Sequence, residues 1–140
     1  PVSMLECAIR ERRCALSPSG MTLACASESP LLFFNDPYTG RVLHISRNEI
    51  KFPFLHFICD ARLLCVGAGG RARILTIARY PERRFTKAIE IKSLATFNLD
   101  ICAPASIYGT PNGRLIAFGL HDSTAVVYAI NSKPSMKAMK

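Results

Sequence analysis

Three observations predict an all-β chain assembled from repeated four-stranded antiparallel sheets. First, a short motif recurs as Leu23-Ala24-Cys25-Ala26-Ser27, Leu64-Cys65-Val66-Gly67-Ala68 and Ile116-Ala117-Phe118-Gly119-Leu120: large apolar, small, variable, small, then turn. The copies lie 41 and 52 residues apart, in the period range at which four-stranded propeller blades repeat. Second, each copy follows a turn signal and precedes an apolar run. Third, those runs are strand-sized. The expectation is a partial β-propeller of about three blades.

The first unit, residues 14–45, carries the clearest punctuation. Cys14-Ala15-Leu16 is a short strand, and Ser17-Pro18-Ser19-Gly20 is a turn in which proline presets φ and glycine accepts a positive one. Thr22–Ala26 is the next strand and Ser27-Glu28-Ser29-Pro30 the next turn. Leu31–Phe34, apolar without interruption, reads as a strand buried on both faces. After Asn35–Gly40, the alternating Arg41–Ile45 suits an outer strand.

The second unit, residues 54–91, repeats this order. Its strands are Phe54–Ile58, Leu63–Val66, Arg73–Ile77 and Thr86–Ile91, with a glycine-rich turn at Gly67–Gly70 and a proline-broken loop, Ala78–Phe85. The third, residues 105–130, reads as incomplete: Ala105–Tyr108, the turn Thr110–Gly113, Leu115–Gly119, a turn around His121–Ser123, and Thr124–Ile130. Residues 131–140 read as a basic tail, and Pro1–Arg13 is the least readable segment. Each sheet must bury both faces, so Ala24, Cys65 and Ala117 are assigned to close approach, with Leu23, Leu64 and Ile116 filling the other face.

With 140 residues, 49% hydrophobic and 20% charged, the chain suits one domain with a real core. No apolar run approaches the roughly 18 residues of a membrane span, so no membrane association is expected. Neither a signal peptide nor an initiating Met is visible, which reads as an excerpt from a longer protein. The cysteines, at 7, 14, 25, 59, 65 and 102, show no zinc-ligand spacing. Several sit inside apolar runs, where a reduced thiol acts as a small hydrophobe, and an intracellular location is expected. A net charge of +8 admits an acidic or nucleic-acid partner without requiring one.

Around residues 14–130 the chain resembles the WD-repeat family of β-propellers. Ser17-Pro18-Ser19-Gly20, Leu23–Ser27 and Asp36 with Thr39-Gly40 follow the family's blade pattern, as do Pro111-Asn112-Gly113, Asp122 at the structural Asp position and Tyr128 at the Trp position. The second unit follows it only loosely, with Gly70 and Thr76 at those two positions. The chain has no tryptophan. The resemblance implies a rigid frame whose loops bind protein partners, within a larger complex or completing the ring, with Asp36 and Asp122 as structural turn residues.

Catalysis, a metal and a cofactor are not expected, because His44, His56 and His121 fall in different units and Asp36, Asp60, Asp100 and Asp122 fall at separate turns. The functional lead is basic. Arg71 and Arg73 follow one turn, while Arg79, Tyr80, Arg83, Arg84 and Lys87 cluster around the ARYPERRF loop. Blade geometry puts those two groups on opposite rims. The first reading is a non-catalytic scaffold for protein partners; the second is a basic module gripping nucleic acid or a phosphorylated or acidic ligand through that loop.

Overall fold

The computed structural model describes residues 11–27, 30–48, 54–80, 88–101, 104–130 and 136–138. Among these, twelve strands form three four-stranded antiparallel sheets, each a simple meander. Blade 1 comprises β1 (Glu11–Leu16), β2 (Leu23–Ser27), β3 (Leu31–Asn35) and β4 (Val42–Arg47). Blade 2 comprises β5 (Phe54–Cys59), β6 (Arg62–Val66), β7 (Arg71–Arg79) and β8 (Ile89–Asn98). Blade 3 comprises β9 (Pro104–Gly109), β10 (Leu115–Leu120), β11 (Ala125–Ile130) and β12 (Met136–Ala138). The first strands lie side by side, β1 against β5 and β5 against β9, so they form the inner edge of the arc.

The turns form where their residues allow. Gly20 and Gly113 have φ of +77° and +72°, and their amides donate to the carbonyls of Ser17 and Thr110, closing equivalent turns in blades 1 and 3. The Ser17 and Thr110 hydroxyls also accept from the amides of Thr22 and Leu115, five residues on in each case. The β1–β2, β3–β4, β5–β6 and β9–β10 turns lie on one rim, and the β6–β7 and β10–β11 turns lie on the other.

Blade 2 is covered on both sides. Leu63, Cys65, Leu75 and Ile77 meet Ala24, Ala26, Leu32 and Phe34 of blade 1, while Leu64, Val66, Ala72 and Ile74 meet Ile116, Phe118 and Tyr128 of blade 3. Adjacent residues on β6 thus serve different seams, as a pleated strand requires. Each large apolar side chain so buried contributes roughly 1.5–3 kcal/mol. Tyr128, at the family's Trp position, is buried edge-on against Phe118, with centroids 5.6 Å apart. On the inner edge, the Arg13 guanidinium lies 4.3 Å over the Phe54 ring, a cation–π contact between blades.

Three expectations are corrected. The middle motif is shifted by one residue: Leu63, not Leu64, shares the backward-facing position with Leu23 and Ile116, and Leu64 faces blade 3. A one-residue slip reverses every side chain, and a run of four apolar residues conceals the register. The third sheet is completed by β12, inside the stretch read as a tail, because Met136 packs on the blade 2–blade 3 core. Finally, β8 continues to Asn98, past the expected end at Ile91, because its pairing with β7 persists through a bulge.

Candidate interaction site

Of the basic residues singled out in the sequence, Arg71, Arg73 and Arg79 lie along β7, whose ends face opposite rims. Arg71 is exposed at one end and Arg79 stands at the other, roughly 26 Å away at strand rise. Arg73, half-buried between them, donates from Nη1 to Asn48 Oδ1 at 3.1 Å, tying β7 to the segment that leaves blade 1. Arg79 places Nη2 3.6 Å from Asp36 Oδ2 and donates from Nη1 to the Met21 carbonyl. Arg73 and Arg79 therefore bridge blades. Arg83, Arg84 and Lys87 lie outside the described residues.

Asp36 works in its own turn as well. Its Oδ1 accepts from the Tyr38 amide at 2.8 Å and the Thr39 amide at 3.2 Å. Burial pushes its carboxyl up, but those two amides and Arg79 outweigh it and hold the group below the usual carboxylate value. Asp122 caps the amide and hydroxyl of Thr124, chiefly the hydroxyl bond lowering its pKa. Asp60 Oδ1 accepts from the Ser19 amide of the neighbouring blade at 2.9 Å. Each of these carboxylates thus has a place in turn structure.

The junction of blades 1 and 2 on this rim also carries side chains that the sequence reading passed over. Met21 is 50% exposed beside the carbonyl that Arg79 holds, and Tyr38 is 63% exposed in the Asp36 turn; Tyr80, 45% exposed, follows Arg79 but lies with Glu90 on the face of blade 2 turned away from blade 1. Tyr38 hydroxyl lies 3.7 Å from the position a Gly20 Cβ would take, and Tyr80 hydroxyl donates to Glu90 at 3.3 Å. An aromatic residue inside the NDPYTG turn was the available signal, since a turn tip has no core to bury it.

Two open clefts flank the seam between blades 2 and 3. One, about 680 Å³, is lined by Gly69, Leu99, Asp100, Ile101, His121 and Asp122. The other, about 670 Å³ on the opposite rim, includes Cys59, Arg62, Asn112 and Arg114. His56, on inner strand β5, is half-buried against Gly109, and desolvation holds its pKa below the ordinary value. Cys65 is pushed up to about 12 by complete burial, with Arg73 opposing, and stays a protonated core thiol. Among the described residues no three His, Cys, Asp or Glu side chains converge as metal ligands, and no helix is long and apolar enough to cross a membrane.

No protein-family model matches the chain, and no curated protein matches it. Solved structures do. The β-propeller domain of Cps50 (Swd1) from Myceliophteria thermophila has a TM-score of 0.69 at 11% identity, over 94% of this chain and 43% of that one. The WD40 domain of SCAP from fission yeast has a TM-score of 0.63 at 16% identity, over 93% and 31%. A periplasmic gluconolactonase, PpgL, from Pseudomonas aeruginosa has a TM-score of 0.68 at 14% identity, over 93% and 39%. The chain spans less than half the length of each. At these identities the likeness is one of fold, which propellers of different activities share. The chain therefore has the fold of a β-propeller segment, three successive four-stranded blades of the type seen in WD40 domains.

Proposed function

We propose that the chain is a non-catalytic protein-interaction module, and that Met21 and Tyr38 form a contact surface for a protein partner. The observation that carries this reading is the exposure of Met21 and Tyr38 on adjoining turns of one rim, both of which Arg79 braces through the Met21 carbonyl and Asp36. Tyr, Met and Arg are the residue types enriched in interface cores, and a rigid frame lowers the entropic cost of presenting them. The half-buried Ala117, Gly119, Val127 and Ala129 on the outer face of blade 3 support a second contact, with another sheet.

The non-catalytic part rests on the occupation of the titratable groups: Asp36, Asp60 and Asp122 hold turns, and His56 is packed in an inner-strand contact. The basic-module reading is weakened because Arg73 and Arg79 are held between blades and Arg71 faces the other rim. The test compares crosslinked partners of the wild type with those of a Met21→Ser/Tyr38→Ser variant. Loss of a specific protein crosslink, with the fold retained, supports the surface. Unchanged crosslinks remove it, and steeply salt-dependent binding of single-stranded nucleic acid, lost on Arg83→Glu/Arg84→Glu, would restore the second reading.

A further inference from the structure

Cys14 on β1 and Cys25 on β2 are direct cross-strand partners, and their sulfurs are 3.2 Å apart, the one thiol donating to the other. The Ser17 amide donates to the Thr22 carbonyl, which makes 17 and 22 a hydrogen-bonded pair of this hairpin. Alternation then makes Ala15–Ala24 the next such pair and Cys14–Cys25 a non-hydrogen-bonded one, the geometry in which facing side chains come closest. Its typical Cα separation, about 4.5 Å, lies within the range that a disulfide spans. The sulfurs need only close to about 2.05 Å.

Their surroundings differ. Cys14 is exposed and Cys25 fully buried, with Asn35 Nδ2 donating to Cys25 Sγ at 3.7 Å. Accessible thiols meet oxidant first, and a neighbouring buried thiol resolves the product. We propose that Cys14 and Cys25 form a peroxide-responsive dithiol site that closes an intramolecular disulfide across the innermost hairpin of blade 1. The Cys14 thiolate attacks hydrogen peroxide, giving a sulfenic acid and releasing hydroxide. Cys25 sulfur then attacks Cys14 Sγ, the S–O bond breaks, and the oxygen leaves as water with the remaining thiol proton. In sum, two thiols lose two electrons and two protons, and one peroxide becomes two waters.

The closed bond fastens β1, which packs against β5 at the inner edge, to the body of its sheet. The reduced chain exposed to hydrogen peroxide is blocked with iodoacetamide after unfolding, then digested with trypsin. Residues 14–41 contain no internal Lys or Arg, so both cysteines fall in one peptide. The expected product is that peptide lighter by two hydrogens and lacking both alkyl groups, restored to two by reductant. Cys25→Ser should leave Cys14 as a sulfenic acid trapped by dimedone. Oxidation of Cys14 with Cys25 still fully alkylated, or a link from Cys14 to the peptide of Cys7, Cys59 or Cys102, would overturn the proposal.

Discussion

Arg79, the last residue of β7 in blade 2, reaches Asp36 in the β3–β4 turn of blade 1, with 3.6 Å between Nη2 and Oδ2. The same guanidinium donates to the Met21 carbonyl in the β1–β2 turn. One side chain thus joins two turns of the preceding blade, and both partners are less than a quarter exposed. An arginine fork suits this task because it is planar, always charged and offers several donors.

Arg79→Ala should therefore act first on stability. It leaves Asp36 without its cation and the Met21 carbonyl without its donor, a loss of about 1–3 kcal/mol. Asp36→Asn, which keeps the shape, should cost less. Urea unfolding checks both, as a lower midpoint at unchanged slope. Wild-type stability with lost partner binding would instead make Arg79 a recognition residue.

Gly70 should resist substitution more than its neighbour Gly69. Both have positive φ, but a Cβ at Gly70 would lie 2.2 Å from the Leu99 carbonyl oxygen and 2.6 Å from that of Ile101, whereas Gly69 faces open space. The close approach is part of the fold, since the Leu99 amide donates to the Gly70 carbonyl. Gly69→Ala should cost about 1 kcal/mol for the backbone alone, and Gly70→Ala about 2–4 kcal/mol. Thermal melts of the two variants give the comparison.

His56 should make the fold acid-sensitive. Desolvation lowers its pKa in the folded chain, so below the unfolded value of about 6.5 the unfolded state binds more protons. Its contribution is present above that pH and falls as pH drops from about 6.5 towards the lowered folded value. His56→Gln should flatten the stability curve in this window without altering it near pH 8. A curve of unchanged slope would show that the imidazole protonates as readily in the fold as in the unfolded chain.

Much of the architecture was legible because it is written in local chemistry. The turns at Ser17–Gly20 and Thr110–Gly113 need particular φ values, and Leu31–Phe34 can only be a strand covered on both sides. The register of the middle blade was not legible, since Arg62-Leu63-Leu64-Cys65-Val66 offers apolar residues to either face. Met136–Ala138 was missed because a three-residue edge strand has no periodicity of its own. The Cys14–Cys25 pair was within reach: both residues stand three positions from the Ser17–Thr22 turn closure.

By itself the sequence determined the fold class, the repeat and the turns, because glycine, proline and apolar spacing act within a few residues. Only the tertiary structure decided what the arginines do. A guanidinium in an exposed loop and one spanning two blades look alike in a string of letters. The difference lies in whether a carboxylate and a carbonyl from another sheet come within hydrogen-bonding reach, as Asp36 and Met21 do for Arg79. That convergence depends on packing sheets distant in sequence, and it moves Arg79 from a binding loop to the brace beneath a candidate binding surface.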